Sequence, residues 1–358
     1  MSFKNTIITG TGSYIPTKII KNSDFLNSTF FEKDQTLVDK TGESVVEKFK
    51  DITGISERRW VEEDLTCSDI AAKAAKAAIE DADIDPETLD HIIVAHNYGD
   101  VIKDTIQTDI VPCLAARVKH ILDINNPQCI AYDLIFGCPG WLQGIIQADS
   151  FIKTGLVKRC LVIGAETLSR VSEKYDRDTM IFSDGAGATV VEAREDNYQH
   201  GVISHSMLTH SKEEAYYLYM GKSNAPESDP KIRYIKMHGR KVYEYSISHV
   251  PKAIKAALDK TDIPVEKIKK ILIHQANEKM DEAIIKRFFR LYGVKKDISE
   301  IMPMNIYELG NSSVATIPTL YDMLLKGNLE NHSAQKDDII IFASVGAGMN
   351  INALVYKQ

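Results

Sequence analysis

The sequence predicts an α/β protein made of two duplicated halves, and two observations carry that prediction. Short apolar runs of strand length alternate with helical patterns along the chain, the signature of mixed α/β architecture. The same pattern also recurs half a chain apart. Residues 78–95 (AIEDADIDPETLDHIIVA) align without a gap with residues 257–274 (ALDKTDIPVEKIKKILIH), at an offset of 179. Each stretch holds a helix end, an Asp-Ile turn, an acidic single-turn helix and an apolar strand. Residues 158–165 (KRCLVIGA) match residues 337–344 (DDIIIFAS) at the same offset. Two matches at one offset indicate a duplicated β-α unit, with halves expected at residues 1–190 and 191–358.

The elements follow in order. Residues 4–9 read as a strand. Residues 68–83 read as an Ala-rich helix with Ser68 as its N-cap. Residues 91–95 and 159–164 are apolar runs of strand length. A looser match pairs residues 138–149 (CPGWLQGIIQAD) with residues 311–322 (NSSVATIPTLYD), each following a glycine and opening a helical pattern. It predicts that Cys138 and Asn311 occupy equivalent helix N-termini, which pseudo-twofold packing would bring together.

The 358-residue chain is long enough for a large core. Its formal net charge of −7 argues against nucleic acid as a main partner. The five cysteines show no CxxC or paired Cys/His spacing, so neither a zinc site nor a disulfide framework is expected. No run approaches the roughly 18 apolar residues needed to insert into a membrane, and residues 1–10 show no cleavage-site pattern. A reduced, cytoplasmic protein is the expectation.

Four segments carry chemistry. Cys138 lies in IFGCPGW, after an apolar strand and before Pro139, a residue favoured in the first turn of a helix. Gly137 and Gly140 allow a sharp turn and a close approach of backbone to a ligand. A helix N-terminus stabilises a thiolate by up to ~2 kcal/mol, enough to lower a thiol pKa by at most about 1.5 from its usual value of about 8.5. His274 ends the strand KKILIH, where open α/β sheets place their sites, and its counterpart in the first repeat is only Ala95. Asn311 stands in ELGNSSVATIP as a candidate cap or donor. The glycine-rich loop SVGAGMN, residues 344–350, offers backbone N–H groups to an oxyanion.

These segments occur in order with TGTGSYIP (9–16), TGISERR (53–59), FSDGAGA (182–188), MHGRKVY (237–243), HQAN (274–277), GNSS (310–313) and GAG (346–348). Together they resemble the β-ketoacyl-ACP synthase III family over nearly the whole chain. HQAN followed by GNSS is the specific part. The resemblance implies a thiolase-like fold, two duplicated α/β halves packed as a five-layered core, in a homodimeric acyltransferase. It implies Cys138 as the acyl-carrying nucleophile, His274 and Asn311 as donors to a thioester carbonyl, and the N–H groups of Cys138 and Ala347 as the oxyanion hole. It implies acyl-CoA or acyl-ACP substrates, no metal or other cofactor, and acyl carrier protein as partner. That partner would dock on Lys279, Lys286 and Arg290, whose spacing lets them share one helix face.

Departures from the family bear on specificity. The chain is longer, in residues 22–51 and 204–236, and the first of these lacks the tryptophan that stacks on coenzyme A. Val111 stands where the family carries a pocket-lining aromatic, which suggests room for a longer acyl chain. Such features also resemble the specialised branch that joins acyl chains into dialkylresorcinols, an alternative to a fatty acid synthase role. Two other readings are weaker. A non-catalytic ketosynthase-like subunit would be expected to have lost one of the three site residues. A dinucleotide enzyme would need a third glycine after Gly10 and Gly12, where Ile15 stands.

Overall fold

A computed structural model describes residues 3–105 and 107–358. In chain order the strands are β1 (Phe3–Tyr14), β2 (Lys18–Lys21), β3 (Glu57–Trp60), β4 (His91–His96), β5 (Ile130–Ile135), β6 (Arg159–Thr167), β7 (Asp184–Asp196), β8 (Gly201–Thr209), β9 (Leu218–Gly221), β10 (Tyr234–Met237), β11 (Ile268–Ile273), β12 (Ile339–Gly346) and β13 (Asn350–Lys357). The α-helices are α1 (Gly42–Thr53), α2 (Cys67–Asp81), α3 (Leu114–Ile121), α4 (Gly140–Thr154), α5 (Gly239–Leu258), α6 (Glu278–Arg290), α7 (Ile306–Leu309) and α8 (Thr316–Leu325).

Nine strands form one sheet in the order β11-β12-β13-β8-β1-β7-β6-β4-β5. The order repeats about the β1/β8 junction: β4, β6, β7 and β1 of the first half answer to β11, β12, β13 and β8 of the second. The short 3-10 turns Pro86–Thr88 and Val265–Lys267 lie at the offset read from the sequence, as do β6 and β12 to within a residue. The first half's edge strand β5 has no full counterpart. In its place Ile301 only accepts a 2.9 Å bond from the Ile271 N–H. The expected boundary after residue 190 needs correction: it falls inside β7, which runs on to Asp196. Residues Ala186–Glu192 of β7 pair with both β1 and β6, and the β1 ladder runs on to Asp196, so the chain does not leave the first half until that ladder ends.

Three core clusters define five layers. α2 and α3 pack on the first half-sheet, and α5 and α6 pack on the second. Between them, Trp141, Ile145 and Ile152 of α4 and Ile317, Leu320 and Tyr321 of α8 fill a core shared by both half-sheets. Strands covered on both faces read as continuous apolar runs rather than alternating ones. β12 (IIIFASVG) is buried at every position for that reason.

Gly10 and Gly12 prove to be packing residues, not a nucleotide loop. A Cβ on either would sit 2.4 Å from a backbone oxygen of α2, at Ala78 and Ala74 respectively. The small residues let β1 and α2 approach. The expected Ser68 cap is also displaced. Thr66 caps α2 in a box with Asp69, and the Ser68 hydroxyl and N–H instead bind the Asp100 carboxylate, at 2.6 and 2.8 Å.

Candidate active site

Cys138 sits in the β5–α4 connection, three residues after Ile135 and two before Gly140. Gly137 turns the chain with φ +73°, a conformation that suits glycine, and α4 begins at Gly140. Pro139 caps the helix one position before the expected first turn. The glycine loop after β12 lies directly against this turn. A Cβ on Gly346 would stand 2.5 Å from the Cys138 nitrogen, and one on Gly137 would stand 3.0 Å from the Ala347 nitrogen. The two backbone N–H groups expected of an oxyanion hole therefore belong to touching segments. In this loop the left-handed positions fall at Gly348 and Met349, so Ala347 keeps a conformation alanine accepts.

Asn311 does not begin a helix. A 3-10 turn at Ser313–Ala315 intervenes, and α8 starts only at Thr316. The expected equivalence of Cys138 and Asn311 at two helix N-termini is thus corrected, although the ends do meet: Ser313 Oγ lies 3.4 Å from Cys138 Sγ. The Asn311 backbone is clamped by the Ile181 oxygen and the Ser183 N–H, at 2.8 and 2.9 Å. Its side-chain oxygen accepts the Ser313 N–H at 2.8 Å. That leaves its amide NH2 as a donor.

Cys138, Asn311, Ser313 and Ala347 line one cavity of about 200 Å³, together with Asn97, Tyr98 and apolar Leu168, Phe182, Leu218, Met220 and Ile235. Strands β9 and β10 supply the last three, so the added segment 204–236 covers the cavity. Val111 is not part of it. It is 84% exposed in the loop before α3, so the expected acyl-pocket role within its own chain is not seen. His274 follows β11, is 4% exposed, and donates its backbone N–H to the Ala343 oxygen at 2.9 Å, three residues before Gly346. It does not line the small cavity. Gln275 anchors the loop after it, through the Pro303 oxygen at 2.9 Å and the Asn305 N–H at 3.0 Å.

A second cavity, of about 470 Å³, opens beyond His274. Ala276, Asn277 and Met280 form one wall, Met237 and Tyr243 another, and Lys48, Phe49 and Ile52 of α1 a third. Lys40, Arg177 and Arg240 also border it. The added segment 22–51 thus supplies part of this wall. Lys279, Lys286 and Arg290 are exposed on α6 beside it, and Lys286 is paired with Glu282 at 2.6 Å.

Burial dominates the electrostatics. It pushes the Cys138 thiol up to about 11, against the lowering that the helix terminus alone predicts. It pushes the His274 imidazole down to about 4, so this ring is neutral at pH 7. Its Nδ1 has no hydrogen-bond partner among the described residues. Nearby, burial raises the Glu166 carboxyl to about 7.

Sequence reasoning missed Ser313, Asn97, Glu166 and the β9–β10 residues. Ser313 lies inside the GNSS motif, which was the only signal for any of them. Conversely, Arg58 of TGISERR is structural. It is fully buried, and each of its three nitrogens donates, to the Met180 and Ile20 oxygens and to Asn22, at 2.8–3.1 Å.

Duplicated halves in five layers, with a cysteine where the central helices meet, define an acyl-condensing enzyme of the thiolase-like fold. The comparisons agree. The family model for 3-oxoacyl-[acyl-carrier-protein (ACP)] synthase III matches residues 132–211, and its C-terminal model matches residues 258–358. β-Ketoacyl-[acyl-carrier-protein] synthase III of Caldanaerobacter subterraneus is 34% identical over 98% of this chain and 97% of its own. That of Clostridium acetobutylicum is 33% identical over 98% of each. The crystal structure of 3-oxoacyl-[acyl-carrier-protein] synthase III from Aquifex aeolicus superposes with a TM-score of 0.80 at 28% identity, over 99% of this chain and all of that one. The chain belongs to the β-ketoacyl-ACP synthase III family and is an acyltransferase. These relatives do not favour the dialkylresorcinol-type alternative.

Proposed function

We propose that this enzyme condenses an acyl thioester with a malonyl thioester, with loss of CO2, in fatty acid biosynthesis. The observation that carries the reading is the single cavity shared by Cys138, the freed Asn311 amide and the Ala347 loop. Cys138 attacks the acyl carbonyl as a thiolate. The tetrahedral oxyanion lies at the N–H groups of Cys138 and Ala347, and the carrier thiol departs with the proton. The malonyl thioester then enters by the larger cavity. His274 and Asn311 donate to its thioester oxygen, CO2 leaves, and the enolate carbon attacks the acyl-cysteine. Cys138 is expelled as thiolate and the β-ketoacyl thioester is released. Nothing in this sequence of steps calls for a metal or a redox cofactor.

Acyl carrier protein, a highly acidic partner, would dock on Lys279, Lys286 and Arg290. The basic rim of the larger cavity supports this, because charge there steers an acidic partner to the entrance. The test is intact-protein mass spectrometry after incubation with acyl-ACPs and acyl-CoAs of varied chain length. An adduct that Cys138→Ala abolishes is expected. Lys279→Glu/Arg290→Glu should slow the adduct from acyl-ACP at least tenfold while leaving that from acyl-CoA within about twofold. Persistence of the adduct in Cys138→Ala would sink the nucleophile assignment. Equal slowing with both donors would sink the docking site.

A homodimer is supported by the free edge of β5. Ile130 and Ile135 on that strand are 52% and 65% exposed, and Ile102 and Val111 nearby are 63% and 84% exposed. An apolar sheet edge of this kind favours pairing with a second copy. Sedimentation equilibrium should give twice the chain mass, and Ile135→Lys should shift it toward monomer. A wild-type monomer at micromolar concentration would contradict the dimer. The five cysteines are all free, which fits a reducing, cytoplasmic setting.

A further inference from the structure

We propose that Ser313 is a further catalytic residue, whose hydroxyl donates a hydrogen bond to the Cys138 sulfur, and that Asn97 and Glu166 are positioning residues that aim this proton. The inference rests on the reading of Cys138 as nucleophile.

The direction of each bond follows from the donors available. The Glu166 carboxyl at the end of β6 is fully buried, and its Oε2 accepts the Asn97 backbone N–H at 2.8 Å and one hydrogen of the Asn97 amide. The second amide hydrogen points to Ser313 Oγ, 3.0 Å away. The serine oxygen is thereby an acceptor, and its own proton is left for Cys138 Sγ at 3.4 Å. A sulfur acceptor takes bonds of this length because its radius is larger than that of oxygen.

Glu166 is what makes the arrangement one-way. Without an acceptor beside its nitrogen, the Asn97 amide is free to rotate by half a turn and present its oxygen. The Ser313 proton would then turn to Asn97 and leave the sulfur. Glu166 Oε1 has no partner among the described residues. A proton taken up by this carboxyl therefore rests on Oε1, and Oε2 stays an acceptor in either state. This matters because burial holds the group near neutrality, at about 7. The titratable side chain facing Glu166 is His96, itself bonded to Asp133 at 2.9 Å.

Ser313 is held for this task at some conformational cost. Its φ is +53°, in the left-handed region, and the Asn311 oxygen secures it by accepting its N–H. The chemical benefit appears twice. Burial raises the Cys138 thiol and the Glu166 charge raises it further, while the Ser313 hydroxyl acts in the opposite direction. The same donor serves when acylation begins and when the thiolate is expelled in condensation.

The experiment follows alkylation of Cys138 by iodoacetamide, read by peptide mass from pH 6 to 10, in the full-length protein. This readout does not depend on turnover. Ser313→Ala and Ser313→Gly, the latter suited to positive φ, should each slow alkylation about tenfold at pH 7 and shift the profile to higher pH. Asn97→Ala should slow it comparably, and the Asn97→Ala/Ser313→Ala pair should be no slower than Ser313→Ala alone. Glu166→Leu and Glu166→Gln both remove the charge that raises the thiol, so the acceptor is read from their difference: Glu166→Gln should be alkylated faster than Glu166→Leu because it keeps an acceptor for the Asn97 amide. Unchanged profiles in both folded Ser313 variants would overturn the catalytic role. Additive slowing in the double variant would overturn the positioning role of Asn97. Either failure, with the acyl adduct on Cys138 intact, leaves the nucleophile assignment standing; loss of that assignment would show instead as acylation surviving Cys138→Ala.

Discussion

His274→Ala is expected to separate the two half-reactions, leaving acylation of Cys138 within a few-fold of wild type while condensation falls roughly 10²–10³-fold, the usual loss for one oxyanion donor. The split follows from the electrostatics. Burial holds the imidazole down to about 4 and the thiol up to about 11. A base that weak would not hold a proton taken from a thiol that weakly acidic, which argues against His274 as the general base for Cys138. A neutral imidazole N–H can still donate to a developing enolate. The sign of the pH dependence is then set. A lowered value means that the protonated ring is the disfavoured form, and it becomes populated only as pH falls toward 4. Between pH 5.5 and 8 the condensation rate should show no ionisation from His274. Acyl-adduct mass and release of labelled CO2, measured on one preparation, report the two steps separately. Equal loss of both would return His274 to the role of base for the thiol.

The legible part of this molecule was the part that repeats. The 179-residue offset placed β6 against β12 and the two 3-10 turns against each other because strand and turn lengths inside a buried half-sheet tolerate little drift. Cys138, His274 and Asn311 stood out in the sequence because each follows a strand or glycine turn whose neighbours are themselves distinctive, and the fold brings Cys138 and Asn311 to one cavity. What stayed hidden depends on contacts between distant segments. Glu166 is a charged residue inside an apolar run, and nothing local distinguishes it from a strand end. Only the fold brings it to Asn97, 69 residues away, and brings Asn97 to Ser313 a further 216 residues on. The thiol reading failed for a related reason: the helix terminus is local and visible in sequence, while the burial that outweighs it is not. Val111 faces solvent in this chain, and nothing in the sequence around it distinguishes such a position from a pocket wall.

Lys236→Met should destabilise the protein by about 3–5 kcal/mol in urea unfolding and loosen the roof of the site. Lys236 is 3% exposed on β10, and its Nζ binds Glu173, Asp176 at 2.9 Å and Asn224 at 2.9 Å. Glu173 in turn receives the Asn224 N–H at 2.8 Å and the Ser223 hydroxyl. One buried ammonium thus ties the β9–β10 segment to the loop after β6. Removing it leaves two carboxylates in the interior without a counter-charge, which is the expensive way to break a buried cluster. If the penalty comes from those stranded charges, Lys236→Met/Glu173→Gln/Asp176→Asn should recover more than half of it. The consequence for chemistry runs through Leu218, Met220 and Ile235, which this segment lays over Cys138. With the roof loosened, water reaches the acyl-cysteine, so the adduct should hydrolyse several-fold faster in the single variant. Slower loss of adduct in the triple variant than in the single one would tie the roof to the ion cluster. A single variant that loses less than about 1 kcal/mol, or an adduct lifetime that does not change, would show that the apolar contacts of β9 and β10 hold the cover without it.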